Sequence, residues 1–370
     1  MRLVSKLFVA SLLLTLAPVG SALAGTNAWT AVASLPTTLG NSGASAGPCT
    51  GAMSARCVYS IGGLNESTNA TATVNMYNPA TNAWSSAGAL NTARTAFGTT
   101  LGPCVGTLKQ NCIYAIGGAD IGAVYLATVE MYNAKTNKWS LEPNVPTPGA
   151  PPTFLGRAQL AATRGPCFNQ LSQTCVYAIG GYNPALYQLS SVEMFNPATT
   201  TWTAATSLVT SRSRLSAASG PCQGTLTATC LYAIGGTGNS GFLSSVEMYN
   251  PATNSWSTVA SLHTASAPPT SLGVAGTAAA AAPCRTQPSR TCIYAYGGQD
   301  QHFNILNATM MYDPQGNAWT YAANMITTRD NFGGSAGPCP AQVTKTCLFA
   351  LGGSGATYTS LSEDYRPGGG

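Results

Sequence analysis

Six short runs of β-branched, aromatic and small residues recur along the chain: CVYSIGG, CIYAIGG, CVYAIGG, CLYAIGG, CIYAYGG and CLFALGG, each ending on a Gly-Gly step. Runs of this length and composition predict buried strands closed by a turn. A second strand follows each of them, as TVNMYNP, TVEMYNA, SVEMFNP, SVEMYNP, TMMYDP and LSEDYRP, with an Asn-Pro or Asp-Pro turn signal in most copies. Seven residues after the aromatic of this second strand comes a Trp in five copies: Trp84, Trp139, Trp202, Trp256 and Trp319. The sixth copy, at Tyr365, has none, while Trp29 stands alone before the first unit in NAWTAVASL. The missing last strand of the sixth unit is therefore expected at the N-terminus.

The Gly-Gly steps are spaced 55, 63, 55, 62 and 55 residues apart, and an internal period of this size signals a propeller or a solenoid. Composition agrees. The 370 residues include 40 Gly and 23 Pro, and only 7% are charged, against about 25% in an average globular chain. The formal charge of +5 is spread out with no run of Lys or Arg, so nucleic acid and a polybasic membrane contact are set aside. Two His, His263 and His302, are too few for a His-rich metal site, and no metal or cofactor is expected.

The N-terminus has the zones of a secretory signal: Arg2 and Lys6, an apolar run from Leu7 to about Val19, and Ala22-Leu23-Ala24 before Gly25. The reading is a signal peptide over 1–24 and one domain over 25–370, secreted to a periplasm or outside the cell and without a membrane anchor.

Gly-Gly, an aromatic and a Trp in six phased copies resemble the kelch repeat, whose units are four-stranded blades of a β-propeller. The resemblance covers residues 27 to 367. It implies an all-β, six-bladed propeller with four antiparallel strands, a to d, in each blade. The ring would close by pairing of the N-terminal strand with the C-terminal blade, leaving only short, protected edges.

The cysteines depart from the usual kelch pattern. All 12 fall into pairs eight residues apart: Cys49 and Cys57, Cys104 and Cys112, Cys167 and Cys175, Cys222 and Cys230, Cys284 and Cys292, Cys339 and Cys347. Each pair spans the expected turn between strands a and b. Residues facing each other there come near disulfide distance, so six hairpin staples are expected in preference to zinc sites. Oxidised pairs also suit an exported chain.

In kelch blades the d-to-a and b-to-c connections emerge on one face, where members of the family commonly bind ligands. Ten residues before the first Cys of each unit stand Arg94, Arg157, Arg212 and Arg329, with Leu39 and Val274 in units one and five. They are read either as scaffold residues bonding loop carbonyls or as a ring of guanidinium forks for a carboxylate or sulfate, with Arg214 and Asp330 beside them. The b-to-c loops differ in every unit and bring Asp120, Tyr125, Tyr182, Tyr187, Phe242, His302, Phe303 and Tyr358 to the same face. The repeated Tyr and Trp are read as core, and Glu130, Glu193 and Glu247 as recurring strand contacts.

The expected function is a monomeric binding module for a carbohydrate or an extracellular protein. The alternative is a cofactor-free sugar mutarotase or epimerase resembling the periplasmic sialic-acid mutarotases, which are six-bladed kelch propellers. There the Arg ring would hold the sugar acid and Asp330, Asp120, Glu66 or Glu142 would act as base. No catalytic residues are assigned: nucleophile elbow, metal motif and phosphate loop are all missing from the sequence.

Overall fold

The structure, a computed structural model, describes residues 27–150, 155–263, 273–355 and 357–368. The expected signal peptide lies outside the described residues. Six four-stranded antiparallel sheets form the blades of a propeller. Blade one is built from Gly43–Cys49, Ala52–Ile61, Val74–Asn78 and Ala83–Ser86, as strands a to d. Blade two follows with Gly98–Cys104, Thr107–Ile116, Val129–Asn133 and Lys138–Glu142, and blade three with Ala161–Cys167, Gln170–Ile179, Val192–Asn196 and Thr201–Ala205. Blade four comprises Ser216–Cys222, Thr225–Ile234, Val246–Asn250 and Ser255–Val259, and blade five Ala278–Pro283, Thr291–Tyr296, Thr309–Asp313 and Ala318–Tyr321.

Blade six takes Gly333–Cys339, Gln342–Leu351 and Ser362–Arg366 from the C-terminal end and Ala28–Val32 from the N-terminal end. In this closing pair Trp29 lies opposite Tyr365, the register that Tyr77 and Trp84 hold within blade one. Ends of the chain that pair in one sheet remove the exposed edge that an open ring would leave.

The recurring aromatics join neighbouring blades. The ring of Tyr132 lies 5.2 Å from that of Trp139 and 5.5 Å from that of Tyr59 in the preceding blade. Trp139 donates from Nε1 to the Gly88 carbonyl at 2.7 Å, just past the last strand of blade one, and Trp84, Trp256 and Trp319 reach the corresponding carbonyls of Ala33, Thr206 and Ala260. Trp29 departs from this and donates to Thr309 Oγ1 at 2.9 Å. Each buried indole N–H thus has an acceptor, and that acceptor belongs to another blade, which fixes the angle between sheets.

The six disulfides are present, each with Cα atoms 4.9 to 5.0 Å apart, and no described cysteine is free. Their geometry corrects one expectation. The two cysteines are not direct cross-strand partners: Cys57 faces Gly47, and a register shift after Pro48 brings Cys49 opposite Ala52. Cys49 lies two residues beyond Gly47 on the same face of the strand, and the bulge swings it back within reach of Cys57. In five blades a glycine lies opposite the second cysteine, with Ala282 in its place in blade five, and the close approach of the next blade is the cause, since a Cβ on Gly102 would come within 2.6 Å of Val176.

Candidate functional site

The four repeated arginines lie at the start of their blades and point inward. All four are fully buried. Arg94 donates from Nη1 to the carbonyls of Gly117 at 2.9 Å and Thr128 at 3.0 Å, and from Nη2 to Glu130 Oε1 at 2.6 Å. Arg212 makes the same contacts with Gly235, Ser245 and Glu247, and Arg329 with Gly352, Leu361 and Glu363. The glutamates in turn accept backbone N–H groups from the connection that leads into the blade: Asn91 and Thr92 on Glu130, Val209 and Thr210 on Glu247, Ile326 and Thr327 on Glu363. Each arginine therefore clamps the first Gly of a Gly-Gly step to strand c of its own blade. Its main-chain carbonyl binds the blade before, as Gly63 N donates to Arg94 O at 2.9 Å.

This geometry corrects the reading of Arg94, Arg157, Arg212 and Arg329 as ligand-binding forks. Their guanidiniums are sealed from solvent and committed to glutamate and carbonyl oxygens, so a sugar acid has no free fork to meet. The mutarotase alternative loses the groups assigned to hold its substrate. Burial pulls each of these guanidiniums below its ordinary value, opposed by the facing glutamate. In blade three the clamp differs: Arg157 also bonds the Pro146 carbonyl, and Glu193 Oε1 has no partner among the described residues. Burial there lifts the Glu193 carboxyl above its usual range, with Arg157 pulling the other way.

The signal for this role was in the sequence. Blades one and five, which carry Leu39 and Val274 in place of Arg, also carry Asn75 and Met310 in place of Glu. Arginine and glutamate come and go together, and Glu363 is the fourth member, outside the V-E-M pattern that singled out the other three.

Two residues after the clamp position lies a second ring. Asn41, Ala96, Gln159, Arg214, Gly276 and Asn331 all have left-handed backbone, with φ from 48° to 66°. Each N–H donates to the carbonyl of its equivalent in the preceding blade, from Asn41 N to Asn331 O at 2.6 Å round to Asn331 N on Gly276 O at 3.0 Å. Six backbone bonds thus form a closed loop around the channel on the face of the b-to-c connections.

Arg214, carried on that ring, is half-buried, in contrast to the fully buried four. Its Nη2 lies 3.3 Å from Asp330 Oδ2, and its guanidinium sits 5.7 Å over the ring of Phe242. Burial pushes the Asp330 carboxyl up, and Arg214 pulls it back. Asp120 and Asp300 are occupied in shaping their own loops. Asp120 Oδ1 accepts the N–H groups of Gly122 and Val124, and Asp300 Oδ1 those of His302 and Asn304. Asp120 is thus a turn former through Oδ1, and His302 is an exposed residue of the turn that Asp300 organises.

The aromatic residues gather in two groups on this face. Tyr125, Tyr182 and Tyr187 form a chain with ring centroids 5.8 and 6.3 Å apart, and Phe242 meets Phe303 at 5.8 Å. Tyr125, Tyr182 and Phe242 are half-buried, whereas Tyr187 is 63% and Phe303 71% exposed. Tyr187 has φ 59° and Phe303 φ 63°, at the loop position where blades one, two and four place Thr68, Ala123 and Gly241, also at positive φ. Left-handed backbone costs a residue with a side chain about 1–2 kcal/mol relative to its ordinary conformations, and for a bulky side chain it is an outlier. The two most exposed rings of the face thus stand at positions where glycine would be easier. Ile121 and Val124 add exposed apolar surface on the neighbouring loop of blade two.

The Kelch motif family model matches residues 103–146, 171–208, 222–263 and 282–326, which fall on blades two to five. Curated relatives include Kelch-like protein 23 of Homo sapiens and of Pongo abelii, each 25% identical over 304 residues, and that of Mus musculus, 26% identical over the same length. The match covers 80% of this chain and 44% of each relative, so the chain spans less than half the length of the curated relatives it matches. Four motif matches, six phased Gly-Gly steps and six four-stranded blades together support a kelch-repeat β-propeller.

Proposed function

We propose that the protein is an exported protein-binding module that takes its partner on the face of the b-to-c loops, with Tyr187 and Phe303 as anchors. The observation that carries this reading is the pair of exposed aromatic rings held at positive φ. The turn holds this position at positive φ in blades one to five, with Thr68, Ala123 and Gly241 in the other three, so what sets blades three and five apart is a large exposed ring there, the kind of side chain that most often dominates a protein interface. The loops bearing them differ from blade to blade, whereas the exposed Leu108, Leu171 and Leu226 on the opposite hairpins repeat one residue at one phase. Variation on a regular scaffold suits recognition of a particular partner. Export is supported by the six disulfides, which persist in oxidising compartments.

The test is selection from a displayed peptide library against the folded protein, with a glycan array run alongside. Selected peptides that bind Tyr187→Ser and Phe303→Ser variants at least ten-fold more weakly support the proposal. Peptides indifferent to both substitutions, or saturable binding confined to sugars, overturn it.

A further inference from the structure

The central channel encloses a cavity of about 470 Å³, lined by the innermost strands of all six blades and reaching the face of the disulfide hairpins. Its walls are mostly Ala, Ser, Thr and Gly, as six strands converging on one axis require. Arg164 breaks this pattern. Equivalent positions in the other blades hold Ala46, Leu101, Ser219, Ala281 and Ala336.

Arg56 and Lys345, on strands b of blades one and six, line the same cavity, and its lining includes no carboxylate. Among the described residues the Arg164 side chain makes neither a hydrogen bond nor an ion pair, its backbone pairing with Val176 in the sheet. Burial, reinforced by repulsion from Arg56, pulls its guanidinium below the ordinary value. Arg94, Arg157, Arg212 and Arg329, fully buried just before their first strands, each have a glutamate, whereas the half-buried Arg164, midway along strand a of blade three, has none. A partly desolvated charge is costly without a counter-charge, and two guanidiniums acting on each other across one cavity lose that repulsion when an anion lies between them. Ser219, at the equivalent position of the next blade and also lining the cavity, has a hydroxyl with no hydrogen-bond partner among the described residues.

We propose that the hairpin end of the channel is an oxyanion site, in which Arg164, Arg56 and Lys345 hold a phosphate or sulfate group. Guanidinium forks match two oxygens of such a group at once, and a dianion balances more than one of the three cations. The site is separate from the loop face, so it stands or falls independently of the protein-binding reading.

The test is calorimetric titration of the whole protein with inorganic phosphate and with sulfate, at ionic strength matched with chloride. Arg164→Gln, Arg56→Gln and Phe303→Ser variants are titrated in parallel, with their melting temperatures as a check on folding. Saturable binding of one anion per chain, weakened at least ten-fold by Arg164→Gln, weakened by Arg56→Gln and unchanged by Phe303→Ser, is the expected result. Arg56 is exposed, so its substitution reports on the site even if Arg164→Gln disturbs the channel. No saturable binding, or equal affinity in parent and Arg56→Gln, overturns the proposal.

Discussion

Arg94 donates from Nη2 to Oε1 of Glu130 at 2.6 Å, and neither side chain reaches solvent. Breaking such a pair on one side leaves a buried charge without its partner, which costs about 3–5 kcal/mol, whereas replacing both members with apolar groups of similar volume is often neutral. Blade five shows the apolar version, with Val274 and Met310 at the two positions. Arg212→Val alone should therefore lower unfolding stability by about 3 kcal/mol or more. Adding Glu247→Met should recover at least half of that loss. Denaturant unfolding of the two single variants and the double gives the coupling; additive losses would contradict the clamp.

Blade three lacks a contact that the other blades share. In five blades a tyrosine hydroxyl on strand c donates to an asparagine held at positive φ: Tyr77 to Asn82, Tyr132 to Asn137, Tyr249 to Asn254, Tyr312 to Asn317 and Tyr365 to Asn27, at 2.6 to 2.8 Å. Blade three has Phe195 and Thr200 instead, and the β-branched Thr200 has φ 53°. Asparagine tolerates that conformation better than threonine. Phe195→Tyr combined with Thr200→Asn should raise stability by about 1 kcal/mol, read as a higher denaturation midpoint at unchanged slope. A lower midpoint would show that Phe195 is fixed by packing.

Acid should not weaken the fold until the pH falls below the ordinary carboxylate range. Burial raises the carboxyls of Glu142, Glu193, Asp330 and Asp364 above their usual values. For these groups the folded state binds protons more readily than the unfolded one, so stability is gained as pH falls from neutral towards the ordinary carboxylate range. Asp300 runs the other way: burial acts to raise it, but hydrogen bonds from Asn304 and His302 outweigh burial and lower it. Four against one, the melting temperature should hold or rise slightly between pH 7 and about pH 4.5. A steady fall over that interval would contradict these assignments.

Reduction should matter more than acid. Each disulfide closes a hairpin loop of about nine residues, for which chain entropy gives roughly 2.5 kcal/mol. Denatured, unreduced protein should titrate with no free thiol, and prior reduction should lower the melting temperature. Several free thiols per chain would refute the staples.

Features repeated at fixed phase were legible in the sequence. The six Gly-Gly steps counted the blades, the unpaired Trp29 located the closing strand beside Tyr365, and the eight-residue spacing paired the cysteines. Phase could not tell which way a repeated side chain points. Arg94 and its equivalents recur at the loop end of the innermost strand, a position compatible with the channel mouth or the interior, and only their joint loss with glutamate in blades one and five decides between them. The bulge after Pro48 was invisible because it depends on how strand b pairs. Arg164 stood out least, since a single departure from a repeat carries no periodic signal, and what distinguishes it is a cavity formed by six strands distant in sequence.

The most direct test of the loop face is the affinity of a Tyr187→Gly, Phe303→Gly double variant for a library-selected peptide, with its melting temperature as the control. Glycine relieves the left-handed backbone at both positions, so the melting temperature should stay level or rise while affinity falls at least ten-fold. Retained affinity together with a melting temperature lowered by several degrees would show that the two rings serve the fold, and would contradict their assignment as anchors for a partner.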